Sequence, residues 1–166
     1  MYRRRFVTLL LIALATAGCD APTLRTAPIV KPAAKKQAVV VAAFNNDYAA
    51  ALDQATREQK PLLIFFTADW CEYCRQIRHD IFERPEFVEA AKRFVCVEVD
   101  AGRHPHLGEE YRVRAYPTLV LANPSGKAIE RIVGVTTPTI VLSHMNATAT
   151  SIIAARQDPT EATLKR

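Results

Sequence analysis

The sequence predicts an α/β fold in which helices cover both faces of a central sheet. Two continuously apolar runs, at residues 62–66 and 94–99, have the pattern of strands that are buried on both sides. Helical patterns alternate with these runs, and a strong turn signal at 123–126 joins two more candidate strands. An alternation of this kind is typical of an α/β sandwich.

The folded part of the chain is predicted to begin with a short apolar run at residues 39–44, which favours a first strand. Asn46 or Asp47 then supplies the side chain that caps the start of a helix. The helix is predicted to continue to about residue 59, because Pro61 stops it.

Two helical pieces are expected between the two buried strands. Cys74, Ile77 and Ile81 fall on one face of the first piece. Pro85 is well placed as the first residue of the second, because proline tolerates the first turn of a helix.

The last third of the domain is predicted to be a hairpin followed by a helix. Strands at 118–121 and 128–133 flank the turn signal. The apolar spacing at 138–155 indicates a closing helix.

Length and composition fit one domain with additional segments. The chain has 166 residues, of which 49% are hydrophobic and 23% charged, and this argues against a chain that is disordered throughout, collagen-like or repetitive. The net charge is +5, because 22 basic side chains stand against 17 acidic ones. Three of the basic side chains are arginines of a removable leader, and without them the net charge is about +2. This balance gives no reason to expect a nucleic-acid partner.

Residues 1–18 have the features of a secretory signal peptide. Three arginines supply the positive start, and an apolar stretch that ends in small residues follows. Cleavage after Ala17 would release a soluble protein. Alternatively, Ala17-Gly18-Cys19 resembles a bacterial lipobox, in which Cys19 takes a lipid and becomes the mature N-terminus; this second reading is our expectation.

The organisation of the rest follows from composition. Residues 19–38 contain several Pro, Ala and Lys without periodicity, which predicts a lipid-anchored tether. The folded domain is predicted at 39–155, with a C-terminal tail at 156–166. Asp20 resembles the signal that retains lipoproteins in the inner membrane. We therefore expect the periplasmic side of the bacterial inner membrane, or a soluble periplasmic or secreted protein if Cys19 carries no lipid.

Cys71 and Cys74 lie where a buried strand passes into a helix. Two cysteines at this spacing can close a small disulfide ring, and a helix N-terminus stabilises the reactive thiolate. Cys71 is nearer to the helix tip and is expected to be an exposed nucleophile. Cys74 lies on the buried face and is expected to be the resolving thiol that breaks a mixed disulfide.

Other uses of the pair stay open on the residues alone. A zinc site needs about four ligands, and the sequence offers no second Cys-x-x-Cys, only His104 and His106 in what reads as a solvated loop. A structural disulfide is a further alternative, although so short a loop constrains the unfolded chain little. Simple core cysteines would suit Cys74 but not Cys71, which follows Trp70 at an exposed strand end.

The motif Trp70-Cys71-x-x-Cys74 after a hydrophobic strand resembles the active-site motif of the thioredoxin superfamily. The Tyr-Pro-Thr run at 116–118, which begins about 45 residues beyond Cys71, resembles the cis-proline loop of that family. The resemblance covers about residues 45–150. It implies a thioredoxin fold, with a central mixed β-sheet and helices on both faces.

Three short segments, at 60–61, 68–71 and 82–85, are especially similar to periplasmic thioredoxin-like domains of the DsbD C-terminal type. Domains of that type reduce disulfides outside the cytosol. The resemblance therefore implies an extracytoplasmic compartment, in which disulfide chemistry persists.

The resemblance implies a role for each matching residue. Cys71 and Cys74 match the catalytic redox pair. Pro117 matches the cis-proline, and with Tyr116 and Thr118 it forms the loop that offers backbone hydrogen bonds to an extended substrate segment.

The residues around the first cysteine are expected to support the pair. Trp70 is expected to pack beside it and to contact the substrate. Glu72 and Tyr73 are expected to tune the redox potential. A negative Glu72 disfavours the thiolate of Cys71, whereas the helix N-terminus favours it.

Two departures from the family pattern concern the floor beneath the pair. Phe65 stands where the family often has a buried acid, and Cys96 replaces the lysine that accompanies this acid. An apolar floor raises the pKa of a thiol, so Cys74 is expected to resolve slowly unless Glu98 or water acts as its base. Cys96 itself is expected to be a buried apolar side chain.

Together these features predict a thiol–disulfide oxidoreductase that reduces protein disulfides and needs no metal or organic cofactor. Its expected partners are protein thiol or disulfide substrates and a membrane reductase of the DsbD or cytochrome-maturation kind. The alternatives are a disulfide oxidant or isomerase, and a thioredoxin-like binding module that holds a metal or a partner protein without redox turnover.

Overall fold

The structure, a computed structural model, describes residues 42–157. Within them a four-stranded sheet is built from β1 (Leu62–Thr67), β2 (Val95–Asp100), β3 (Thr118–Ala122) and β4 (Ala128–Val133). The strand order is β2-β1-β3-β4. Because β1 runs parallel to β2 and antiparallel to β3, and β4 runs antiparallel to β3, the sheet is mixed as expected.

Five α-helices surround this sheet in the described part of the chain. They are α1 (Tyr48–Glu58), α2 (Glu72–Ile77), α3 (Pro85–Ala91), α4 (Pro105–Glu110) and α5 (Pro138–Gln157). A π-helical segment at Arg78–Phe82 continues α2, so α2 and this segment form one widened helical stretch.

The helices cover both faces of the sheet, which confirms the predicted architecture. One face carries Phe65 and Leu121 and packs against α2, the π-helical segment, α3 and α5. The other carries Ile64 and Val120 and packs against α1 and α4. Side chains alternate between the faces along each strand, and all six residues of β1 are buried.

The helix starts follow the capping signals in the sequence. Asp47 caps α1, because its carboxylate accepts a hydrogen bond of 3.1 Å from the backbone N–H of Ala50. Pro85 is the first residue of α3. The hairpin turns at Asn123, whose side chain accepts hydrogen bonds from the backbone N–H groups of Ser125 and Lys127.

The prediction of a first strand at 39–44 is wrong for the residues that the structure describes. Residues 42–44 form no strand, and only Asn45 makes an isolated parallel bridge, to Val97. Phe44 stacks on Phe82 at 4.8 Å between ring centroids. The apolar character of this run therefore reflects packing against the core, not membership of the sheet.

Two further elements differ from the sequence prediction. The segment around His104 and His106, expected as a loop, contains the short helix α4, which begins at Pro105. The π-helical segment was not predicted, because a local widening of one turn leaves the apolar spacing nearly unchanged.

Several predicted segments lie outside the described residues. They are the signal peptide 1–18, Cys19, the tether 19–38 and most of the tail 156–166. Among the helices that the structure describes, none is both long and apolar enough to cross a membrane.

We predict that the core carries the stability of the fold, which a matched pair of Val→Ala substitutions tests. Val120 on β3 is fully buried, whereas Val133 on the edge strand β4 is 58% exposed. Val120→Ala should lower the free energy of unfolding by about 2 kcal/mol or more, since it removes buried methyl groups and leaves a cavity. Val133→Ala should stay within about 1 kcal/mol. Urea denaturation measures both, and equal losses would contradict the described packing.

Candidate active site

Three segments of the chain meet at the C-terminal end of β1, because this strand is hydrogen-bonded to a neighbour on each side. Phe66 lies opposite Thr118, at the start of β3. Thr67 lies opposite Asp100, at the end of β2. The loop that leaves β1 carries Cys71, so the cysteine pair, the loop before β3 and the end of β2 share one edge of the sheet.

Cys71 and Cys74 are joined by a disulfide bond, with an S–S distance of 2.04 Å and a Cα–Cα distance of 5.3 Å. Cys71 is the N-cap residue of α2, and its Sγ accepts a hydrogen bond of 3.1 Å from the backbone N–H of Cys74. The backbone N–H of Cys71 donates to the carbonyl of Ala68 at 2.9 Å. The sulfur that was predicted to react first therefore lies at the helix N-terminus, where negative charge is stabilised.

The expected exposure of Cys71 is wrong for this oxidised state. Cys71 is 4% exposed and Cys74 is 1% exposed. The difference arises because the Sγ of Cys71 turns inward to bond to Cys74. Both cysteines nevertheless line an open groove of about 420 Å³, so a reactant can approach the disulfide through this groove.

Aromatic side chains form an exposed surface beside the disulfide. Trp70 is 76% exposed and Tyr73 is 59% exposed. The ring of Trp70 meets the half-buried ring of Tyr116 edge-on, at 5.8 Å between centroids. Large exposed aromatic side chains are typical of protein–protein contact surfaces, because they bury a large apolar area on binding.

The loop before β3 contains the cis peptide bond that the resemblance implies, between Tyr116 and Pro117. The carbonyl of Pro117 accepts a hydrogen bond of 2.8 Å from the N–H of Gly134, so this carbonyl already has a partner. The hydroxyl of Thr118 donates to the carbonyl of Ala115 at 2.8 Å, and its side chain is buried. The side chain of Thr118 therefore supports the loop and is not presented to a substrate.

Charged side chains make up much of the lining of the groove. Arg103 bridges Asp69 at 3.0 Å and Asp100 at 3.7 Å. The hydrogen bond from Arg103 is the main reason why the pKa of Asp69 lies below its usual range. No local sequence pattern indicates Arg103 as a site residue, because its contact with Asp69 spans 34 positions.

The basic helix face that Arg75 and Arg78 form in the sequence is engaged in two ion pairs. Arg75 pairs with Glu72, between the two cysteines. This contact offsets the negative charge through which Glu72 was expected to act on Cys71. Arg78 makes two parallel hydrogen bonds to the carboxylate of Glu98, one of them at 2.5 Å.

The floor beneath the disulfide is apolar, as the sequence predicts. Phe65 is fully buried and Cys96 nearly so, and both belong to the core cluster that also contains Cys71 and Cys74. Burial raises the pKa of the Cys96 thiol to about 12. Cys96 therefore behaves as an apolar side chain at neutral pH.

Two histidines come into question as metal ligands beside the cysteine pair. His104 and His106 are exposed at the start of α4. Within residues 42–157, no group of three or more His, Cys, Asp or Glu side chains is arranged to hold a metal ion.

A family model described as a thioredoxin-like domain matches residues 48–149. The chain belongs to the thioredoxin-like family, and its fold and its disulfide at Cys71–Cys74 agree with that membership.

Individual relatives agree with this family. A "Thioredoxin H-type" protein of Oryza sativa subsp. indica is 33% identical over 128 residues, which cover 73% of this chain and 99% of that protein. "Disulfide bond reductase DsbH" of Chlamydia pneumoniae is 33% identical over 98 residues, which cover 51% of this chain and 59% of that protein.

A solved structure of the same kind is the C-terminal domain of DsbD from Neisseria meningitidis in its oxidised form. It aligns with a TM-score of 0.54 and 27% identity, over 64% of this chain and 99% of that domain. The predicted resemblance to DsbD-type domains is thereby confirmed. The chain is a thioredoxin-family thiol–disulfide oxidoreductase with the cysteine pair Cys71–Cys74.

We predict that Cys96 is inert toward alkylation in the folded protein. Because burial raises its pKa to about 12, its thiol stays protonated at pH 8, and the reactive thiolate fraction grows only as the pH rises toward that value. After mild reduction and treatment with iodoacetamide at pH 8, peptide mass mapping should find Cys71 modified and Cys96 unmodified. Urea should make both reactive. Equal rates for the two cysteines in the native protein would show that Cys96 is accessible.

Proposed function

We propose that this protein is an extracytoplasmic protein-disulfide reductase that works through Cys71 and Cys74. The observation that carries the proposal is the disulfide at the N-terminus of α2, which lines an open groove beside the exposed Trp70. A structural disulfide has no need of a groove or of exposed aromatic side chains next to it.

The proposed reaction is thiol–disulfide exchange in two steps. In the reduced protein, the thiolate of Cys71 attacks one sulfur of a substrate disulfide, and the other substrate sulfur leaves as a thiolate. Cys74 then loses its proton and attacks the Sγ of Cys71. The bond between Cys71 and the substrate breaks, the substrate is released as a dithiol, and the protein is left with the disulfide seen here.

Substrate binding is proposed for the exposed aromatic surface beside the disulfide and for the loop before β3. Trp70 and Tyr116 supply apolar contact area, and the backbone of the loop that leads into Pro117 binds an extended substrate segment, while the side chain of Thr118 supports this loop. Glu72 and Tyr73 tune the potential of the pair, with the effect of Glu72 reduced by its ion pair with Arg75.

Each turnover in the reducing direction oxidises the pair, so another protein must reduce it again. A membrane reductase of the DsbD or cytochrome-maturation kind is the proposed donor. The names of the relatives, a disulfide bond reductase and a DsbD domain, support this choice. The same relatives support a periplasmic location, with the lipid at Cys19 as the proposed anchor.

We predict that the wild-type protein reduces insulin with dithiothreitol as donor and that Cys71→Ser abolishes this activity, because the attacking sulfur is lost. Turbidity of the released B chain measures the rate. Cys96→Ser is the control and should retain activity, since Cys96 lies in the core away from the exchange. Cys74→Ser should accumulate mixed disulfides, whose mass-spectrometric analysis identifies substrates.

The redox potential of the pair decides the direction. A value nearer to about −270 mV than to about −120 mV agrees with a reductase, whereas the reverse indicates an oxidant. Failure to reduce insulin, together with binding of copper or zinc that Cys71→Ser abolishes, would replace the proposal by a binding module.

The proposed anchor gives a separate prediction. When the full chain is expressed in a Gram-negative bacterium, it should fractionate with the inner membrane and incorporate labelled palmitate, because several acyl chains give durable attachment. Cys19→Ser should abolish both. A wild-type protein found soluble in the periplasm, with its N-terminus at Gly18, would contradict the anchor and leave the redox proposal intact.

A further inference from the structure

The proton of Cys74 has to leave a nearly dry environment before this residue can attack. Cys74 is 1% exposed and lies in the same core cluster as Phe65 and Cys96. A buried thiol holds its proton more tightly than an exposed one, since burial disfavours the charged form. Fast resolution of a mixed disulfide therefore needs a proton acceptor, and the groove that Cys74 lines can hold one.

Three carboxylates line this groove, and two of them are less well placed to accept a proton from Cys74. Asp69 lies at the rim of the groove with 74% of its side chain exposed, so it faces solvent and not the core. Asp100 accepts hydrogen bonds from the backbone N–H groups of Gly102 and Arg103, which orients it toward the turn after β2. Glu98 is the third.

Glu98 lies directly beside the apolar floor. It is the register partner of Phe65 across β1 and β2, and it lies two residues after Cys96 on the same face of the sheet. Its side chain is 21% exposed, so it lies between the core and the open groove. Of the other two carboxylates, Asp69 lies in the loop after β1. Asp100 lies on the same face of β2 as Glu98, but it is the register partner of Thr67 and not of Phe65.

Arg78 fixes the position of the Glu98 carboxylate. It begins the π-helical segment, and its backbone N–H donates to the carbonyl of Cys74. Its guanidinium grips Glu98 with two parallel hydrogen bonds and lies 5.0 Å from the centroid of the Phe65 ring. Arg78 therefore connects the backbone at Cys74 to the Glu98 carboxylate.

We propose that Glu98, held by Arg78 over the ring of Phe65, accepts the proton of Cys74 when the mixed disulfide is resolved. The inference rests on the proposed function, since it concerns the second step of that exchange. Arg78 is a positioning residue in this account. The Phe65 position, which the family often fills with a buried acid, is thus served by an acid from the neighbouring strand.

The step balances without a further reactant. The proton of the Cys74 thiol passes to the Glu98 carboxylate, and the Cys74 thiolate attacks the Sγ of Cys71. The Cys71–Cys74 bond forms, the bond from Cys71 to the substrate breaks, and its electron pair leaves on the substrate sulfur. Glu98 then returns the proton to that sulfur or to solvent. Direct transfer or transfer through one water both suit a base in this position.

Other charged and titratable groups face Glu98 and enter the pH dependence. Those along the groove of the disulfide are Asp69, Arg75, Arg78, Asp100, Arg103 and His104. A second groove, which Glu98 also lines, adds Asp47, Tyr48 and His106. Cys96 precedes Glu98 on β2. The test therefore needs a control variant that removes the same charge at a neighbouring position, so that loss of the Glu98 base can be told apart from a general change in electrostatics.

The test is stopped-flow reaction of the reduced full chain with excess 5,5′-dithiobis(2-nitrobenzoate), in a Cys19→Ser background so that the pair supplies the reactive thiols. The first release of thionitrobenzoate reports attack by Cys71. The second release, independent of reagent concentration, reports attack by Cys74 on the mixed disulfide. Both are followed by absorbance between pH 5 and 9.

Glu98→Gln should leave the first phase within about twofold and slow the second about tenfold or more at pH 7, because a general base is lost while an acceptor for Arg78 remains. The pH dependence of the second phase should move to higher pH. Glu98→Asp should restore part of the rate. Arg78→Lys keeps the charge but loses the two-pronged grip, so it should slow the second phase to an intermediate degree.

Two results would overturn the inference. One is a second phase that is unchanged or faster in Glu98→Gln, as expected if Glu98 only offsets the positive charge of Arg78. The other is an equal slowing by Asp100→Asn, which removes the same charge from the same groove. Absence of the first phase in the wild type would instead refute the proposed function, so the two failures are distinguishable. Circular dichroism of each variant confirms folding.

Discussion

The site depends on a single constraint, which is that β1 is buried on both faces and hydrogen-bonded along both edges. Because β1 is paired along its length with β2 and β3, the loop that carries the cysteines begins at the C-terminal end of this strand. The cysteine pair, the loop at Pro117 and the end of β2 therefore converge there. A slip of one residue would exchange the two faces of β1, so apolar packing and the geometry of the site are specified together.

The disulfide has an exposed aromatic surface next to it, with Trp70 and Tyr116, and a charged side, which is the groove. In the proposed function, the aromatic surface offers apolar area to a protein partner. On the charged side, the described arginines Arg75, Arg78 and Arg103 each have a carboxylate partner, so none presents an uncompensated charge to the sulfurs. Stabilisation of a thiolate at Cys71 consequently falls mainly to the N-terminus of α2. Because the floor at Phe65 is apolar, it offers the Cys74 thiol no proton acceptor. In our proposal this acceptor comes from the charged side.

Local patterns predicted those elements whose cause is local. A run such as 62–66 is apolar at every position because both of its faces are covered, and Asp47 and Pro85 mark helix starts through their own backbone chemistry. The prediction of a strand at 39–44 failed because an apolar residue packs equally well from a strand or from irregular chain. Phe44 packs against Phe82 from irregular chain. Apolar spacing carries no information on that choice.

The sequence by itself determined the reactive chemistry, since the spacing of Cys71 and Cys74 before a helix and the proline at position 117 are properties of short segments. Only the tertiary structure decided which side chains surround the sulfurs. The contacts of Arg78 with Glu98 and of Arg103 with Asp69 span 20 and 34 positions, and they exist because parallel pairing of β1 and β2 brings distant residues to one edge. The burial of the bonded Cys71 also became evident only in the tertiary structure, because the spacing of the cysteines predicts their bond and not how much of it the surrounding chain covers.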